Sequence, residues 1–209
     1  MKPTAASSNP KSGPRERFPL SVVATGSSAG GLHALSIVLE GLPKNFPGAI
    51  VVAQHMDPKH PSLMVGLLAR KTALAVVAAE AGVKLVVGTV YIAPPDHHLI
   101  VGANGRIRLT RGEKVHFVRP AVDVLFNSVA QSCCDRAAAV ILSGTGFDGA
   151  DGCREISRCG GHIIVQDEAS SEFGGMPSFA RATGLVDQIL PLPDIAPALI
   201  AWASENQDA

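Results

Sequence analysis

The chain has 209 residues, equal numbers of basic and acidic side chains, 46% hydrophobic residues and only 4% aromatic ones. That is enough for one ordinary domain with an aliphatic core. Zero net charge, with one Trp and one Tyr, leaves neither the basic stripe nor the stacking platform of a nucleic-acid binder. No apolar run reaches the length that spans a bilayer, and the Pro-, Ser- and charge-rich start lacks the apolar core of a secretory signal. A soluble cytoplasmic protein is expected.

Residues 1–19 read as a disordered tail and 20–205 as a single domain. From Leu20 the pattern alternates. The apolar run LSVVAT predicts a strand, GLHALSIVLEGL a helix, GAIVVAQH a strand, PSLMVGLLARKT a helix, and LAVVAA and GTVYIAP two more strands. HLIVG and RIRLT flank Asn104-Gly105, a hairpin signal. Then follow helix AVDVLFNSVAQSCC, strand AAAVILSG, the Gly-rich loop TGFDGADG opening a short helix, strand GHIIVQD, a loop containing FGGMP, a strand near LVDQIL and a closing helix PDIAPALIAWA. Fully apolar strands between helices imply strands buried on both faces. The expected fold is therefore α/β: a doubly wound, mostly parallel sheet with helices on both faces and one antiparallel β-hairpin. Cys133, Cys134, Cys153 and Cys159 have no CxxC spacing and read as reduced, partly buried thiols.

In an open parallel sheet, catalytic groups gather beyond the carboxyl ends of the strands. There the sequence places Ser27 and Ser28 after the first strand, Gln54 and His55 after the second, and Asp148 and Asp151 after AAAVIL, with Asp123 a further candidate carboxylate. A serine, a histidine and an aspartate on one edge are the inventory of an acyl-transfer triad. The histidine takes the serine's proton, the carboxylate orients the imidazole, and backbone N–H groups at a helix start stabilise the oxyanion. Ser27 reads as a helix N-cap and Asp151 as a helix-dipole partner.

Two rival readings meet obstacles. TGSSAGG resembles the phosphate turn of short-chain dehydrogenases, but Leu32 replaces the last glycine, and Tyr91 has Pro95, not lysine, four residues on. Gly26–Gly30 also fits G-x-S-x-G, yet the order Ser28, His55, Asp148 differs from the Ser, Asp, His order of α/β hydrolases. No metal is expected: His55, Asp57 and His60, or His97 and His98, offer no full ligand set.

GSSAGG, QHM, RPAVD, LSGTGFDGA and GGMP occur in the order seen in chemotaxis protein-glutamate methylesterases, and from about Val22 to Leu190 the chain resembles their catalytic domain. The resemblance implies Ser28 as nucleophile, His55 as base and Asp148 as third member. It implies hydrolysis of γ-glutamyl methyl esters on a chemoreceptor or other methylated signalling protein, releasing methanol, with glutamine deamidation as a further activity and no cofactor. Ala29, Thr145 and Gly146 are candidates for the oxyanion site, and Arg119 and Met176 for the cleft. The family usually carries an N-terminal receiver domain, for which nineteen tail residues are too few. Ala29 stands where threonine is common and Thr145 where methionine is common. The SAGG and SGTG forms are similar to methylesterase modules fused to methyltransferases, which makes a cognate methyltransferase a candidate partner. A catalytically weak interaction module and a nucleotide-binding α/β domain are the alternatives.

Overall fold

The computed structural model describes residues 18–57 and 63–206. Seven strands make one parallel sheet: β1 (Ser21–Ser27), β2 (Gly48–Gln54), β3 (Ala75–Ala78), β4 (Thr89–Ile92), β7 (Ala137–Ile141), β8 (His162–Gln166) and β9 (Gln188–Leu190). They lie in the order β3-β4-β2-β1-β7-β8-β9. A separate antiparallel hairpin joins β5 (His98–Val101) to β6 (Ile107–Thr110). β1, β2 and β7 are buried along their whole length, which is why they read as unbroken apolar runs rather than as alternation.

Helices cover both faces. On one side Leu35 and Leu39 of α1 (Gly31–Glu40), Leu68 of α2 (Met64–Leu68) and Leu199 of α6 (Ile195–Glu205) pack on Val23, Val52 and Val140. On the other, Phe126 of α3 (Val122–Cys133), Ile156 of α4 (Ala150–Arg158) and Met176 of α5 (Gly175–Ala182) pack on Ala24, Val51 and Ile141, with hairpin residues Leu99 and Ile107. The chain runs outward from β1 to the β3 edge, then returns to place β7 against the other side of β1. The strand order thus reverses between β1 and β7, where an α/β sheet opens a crevice beyond its carboxyl edge.

The doubly wound expectation agrees with this arrangement, but the structure differs in detail. Gly175, Met176 and Pro177 open helix α5 instead of lying in a loop, because Pro177 sits in the first turn, where a missing N–H costs nothing. α2 is shorter than PSLMVGLLARKT suggests and ends in a turn at residues 69–71. Phe18, assigned by composition to the tail, is buried at 6% exposure, and its ring occupies the space where a side chain on Gly105 would stand. Gly105, at φ +69°, is required there on both counts. The rest of the expected tail up to residue 17, and His60, lie outside the described residues.

Candidate active site

Three strand ends build the site. At the end of β1, Ser27 is fully buried and donates its hydroxyl hydrogen bond to Gln54 Oε1 at 2.6 Å, while Ser28, one residue on, is half-exposed. Ser27 is therefore no helix cap: the cap of α1 is Gly30, at φ +74°. A side chain on Gly30 would meet the Ser143 hydroxyl at 2.6 Å, so the turn needs glycine sterically as well as conformationally. Gln54 ends β2 and donates to the carbonyls of Ser28 (2.7 Å) and His55 (2.9 Å). The His55 N–H donates to the Ser27 carbonyl at 3.0 Å. One buried amide thus clamps the segment that carries Ser28 to the segment that carries His55.

The loop after β7 supplies the carboxylate. Asp148 is 3% exposed and accepts from His55 Nε2 at 2.7 Å. It also accepts from the Val122 N–H (2.7 Å) and the Asp123 N–H (3.0 Å), the free donors at the start of α3. Burial alone would raise its pKa, but the His55 bond and those two amides outweigh it and hold the carboxyl below its ordinary value. Asp123 takes a different partner, His116 Nε2 at 2.8 Å, and accepts from the N–H groups of Gly149 (3.0 Å) and Gly152 (2.6 Å) at the start of α4. Its pKa is raised, by burial and by the charge of Asp148, despite those bonds. Asp151 is exposed in the first turn of α4 beside Arg154. Of the three candidate aspartates, Asp148 is the one bonded to His55.

Since His55 uses Nε2 toward Asp148, Nδ1 is the nitrogen left to accept a proton. The Ser28 hydroxyl makes no hydrogen bond among the described residues, and such contacts tighten when substrate arrives. The Ser28 N–H is committed to the Ser143 carbonyl (3.0 Å), so it is not an oxyanion donor in this arrangement. Ser143, which no motif singles out, holds the loops together: its hydroxyl donates to the Ala29 carbonyl (2.8 Å) and accepts from the Phe173 N–H (3.0 Å). No acceptor among the described residues pairs with the N–H groups of Ala29, Thr145 or Gly146. Thr145 and Gly146 are exposed above the strand ends.

Of the two expected cleft residues, Met176 lies beneath the surface and Arg119 borders a cleft. Met176 is 1% exposed and packs its sulfur beneath Gly144, where a side chain on that glycine would meet it at 2.3 Å. It supports the floor and does not line a mouth. Arg119 borders a cleft of about 80 Å3 together with His55, Met56, Lys114, Phe117 and Val118. Its guanidinium, however, is bound to Asp96 (Nε at 3.0 Å) and to the carbonyls of Arg111 and Gly112. That pairing holds Asp96 below its ordinary pKa and leaves Arg119 an ion-pair role. His97 and His98 are likewise used by the fold: His98 bonds the Glu113 carbonyl and the Ala121 N–H, and His97 the Pro95 carbonyl. Larger surface hollows, about 490 and 340 Å3, contain none of the three polar groups at the strand ends.

Comparison with known proteins gives a consistent picture. A family profile described as CheB methylesterase matches residues 23–199. Protein-glutamate methylesterase FrzG of Myxococcus xanthus is 41% identical over 184 residues, covering 88% of this chain and 55% of that protein. A protein-glutamate methylesterase/protein-glutamine glutaminase of Pseudomonas aeruginosa is 41% identical over 188 residues, covering 88% and 54%. The crystal structure of the Thermotoga maritima CheB methylesterase catalytic domain superposes with a TM-score of 0.84 at 38% identity, covering 87% of this chain and 97% of that one. The chain spans about half the length of the curated relatives it matches.

Proposed function

We propose, since this chain belongs to the CheB methylesterase family, that it hydrolyses methyl esters of glutamate side chains on a methylated signalling protein of the chemoreceptor type. The 2.7 Å bond from His55 to Asp148, beside Ser28 at the sheet's switch point, carries this reading. Ser28 Oγ attacks the ester carbonyl and passes its proton to His55 Nδ1, while Asp148 holds Nε2–H and stabilises the imidazolium. The carbonyl oxygen gains the negative charge, and the N–H groups of Ala29, Thr145 and Gly146 are the donors available to it; removing one such donor in other hydrolases costs about 2.7–4 kcal/mol. Collapse of the tetrahedral intermediate expels methoxide, which takes the proton from His55 and leaves as methanol. Water, deprotonated by His55, then cleaves the Ser28 ester and restores the enzyme. Deamidation of a glutamine amide, with ammonia as leaving group, uses the same groups.

The proposed enzyme is cytoplasmic and reads a side chain protruding from a protein surface; no helix among the described residues is long and apolar enough to cross a membrane. A cognate methyltransferase that makes the ester is the complementary partner. The test is methanol release from methylated receptor-bearing membranes by the wild type and by Ser28→Ala. Release that vanishes in the variant supports reaction and nucleophile together. A wild type that reacts with a fluorophosphonate at Ser28 but releases no methanol would move the substrate to another protein ester, and a wild type that does neither would end the hydrolase reading.

A further inference from the structure

Two histidine–aspartate pairs, not one, sit at the carboxyl edge of the sheet, and they are interlocked. α3 and α4 begin at Ala121 and Gly149, and neither helix receives a side-chain cap from its own N-cap residue. Each is capped instead from the other. Asp148, just before α4, accepts the first N–H groups of α3, while Asp123, in the first turn of α3, accepts the N–H groups of Gly149 and Gly152. This exchange presses two buried carboxylates together, which like charges resist. His116 answers the second of them. Its Nε2 bonds Asp123 Oδ2, and its ring meets Phe147, the residue immediately before Asp148, edge-on at 4.6 Å. His116 therefore braces both flanks of the Asp148 carboxylate, from a turn in which it and Phe117 both take positive φ.

We propose that His116 and Asp123 are positioning residues for the reaction: together they hold Asp148 behind His55 and tune, through charge, how readily His55 accepts a proton. The inference rests on the hydrolase reading above. A simple helix cap needs only an acceptor, and serine or asparagine would serve. An ionised Asp123 backed by a histidine adds a negative charge beside the triad, which favours the protonated form of His55. The groups that face Asp123 are His116 from the preceding turn, Asp148 from the loop after β7, and Asp151 and Cys153 from α4, with Arg154 paired to Asp151. Those that face His55 are Asp148, and Lys114 and Arg119 across the small cleft. Asp123→Asn removes the charge and keeps an oxygen for Gly149 and Gly152, so the Asp148–His55 pair loses the negative charge that lies behind it.

The experiment follows the His55 imidazole by NMR titration in the folded wild type and in Asp123→Asn, with the resonance assigned by its loss in His55→Gln. Alongside it, the rate of fluorophosphonate labelling at Ser28 is measured against pH. The expected result is a His55 midpoint lower by on the order of half a pH unit in Asp123→Asn, and an acid limb of labelling displaced in the same direction. His116→Ala slows labelling about tenfold or more at neutral pH. His116→Gln, which puts an N–H near the Nε2 position, recovers most of that loss. An unmoved His55 midpoint overturns the electrostatic half of the proposal. Labelling losses in His116→Ala that follow a fall in melting temperature, with no recovery in His116→Gln, overturn the positioning half and leave only a structural cap. A wild type that never labels, while the His55 midpoint still moves in Asp123→Asn, sinks the hydrolase reading and supports the coupling.

Discussion

The Ser27 hydroxyl and the Gln54 carboxamide are buried together at 2.6 Å, and the other end of that amide holds the backbone carbonyls of Ser28 and His55. Gln54→Leu leaves the hydroxyl and both carbonyls short of a partner. Leaving a buried polar group unpaired costs about 1–3 kcal/mol, so a fall of that size in unfolding free energy is expected by urea titration. Fluorophosphonate labelling at Ser28 should slow out of proportion to that loss, because the two strand ends slide against each other. A variant that labels at the wild-type rate would show that Gln54 serves stability alone.

Asp148 has two tasks that substitution can separate. Asp148→Asn keeps its size and one acceptor for the α3 amides but no longer fixes the His55 tautomer; labelling should fall on the order of 10^3–10^4-fold, and only the share of stability that the charge contributes is lost. Asp148→Ala also uncaps α3, and an added destabilisation of roughly 0.5–2 kcal/mol is expected. Labelling kinetics and thermal unfolding of the two variants, measured side by side, check the division.

The pH dependence of stability follows from the same carboxylate. Asp148 has a folded-state pKa below its ordinary value of 3.8. Its contribution to stability is thus present in full above that value and is lost as pH falls through the lowered folded value. Asp123, raised in the folded state by burial, works in the opposite sense: its ionisation costs the folded state, and protonation relieves the cost. The stability gap between wild type and Asp148→Asn should be widest above about pH 4 and close on further acidification. Urea midpoints measured from pH 6 downward would show a constant gap if Asp148 were not the group responsible.

Four of the seven phenylalanines are exposed, Phe117 at 94%, and the rings of Phe179 and of Phe147, the residue before Asp148, lie with centroids 5.7 Å apart. Phe117 lines the cleft of about 80 Å3 beside His55, so on the proposed hydrolase reading it is placed to meet a protein substrate outside the reacting ester. Phe117→Ala should raise KM for a methylated protein roughly tenfold, the scale of one lost apolar contact, while leaving hydrolysis of a small soluble ester unchanged. Equal effects on both substrates would place Phe117 in the chemistry instead.

The cysteines divide cleanly. Burial pushes the thiols of Cys133 and Cys153 up to about 12, whereas Cys134 and Cys159 are half-buried. Titration of the native protein with a thiol-reactive disulfide reagent should modify at most two cysteines, and all four after denaturation.

What the sequence made legible follows from periodicity and position. Strands β1, β2 and β7 are apolar throughout because both faces are covered, and that pattern has few other readings. Ser28 and His55 stand where such strands stop, so strand ends and spacing were enough to bring them together. Asp148 could not be separated from Asp123 by position alone, because both lie at helix starts on the same edge and both have a histidine partner in three dimensions. The His116 pairing was hidden for a different reason: it depends on a turn with two residues at positive φ, which neither His nor Phe announces. Helix α5 was obscured by its own opening, Gly-Met-Pro, whose residues signal a loop until the proline is recognised in a first turn.

The reversal of strand order between β1 and β7 has a consequence for how the protein comes into being. Ser28 and His55 follow neighbouring strands β1 and β2 and are made before β7, but the carboxylate that pairs with His55 comes 93 residues after it. It reaches them only when β7 docks along β1. Closing so long a loop is slow compared with forming local helices and hairpins. The nascent chain therefore passes through an interval in which its serine and histidine are already neighbours but His55 has no carboxylate partner, and, on the proposed hydrolase reading, the onset of labelling at Ser28 in a refolding experiment would report the arrival of β7.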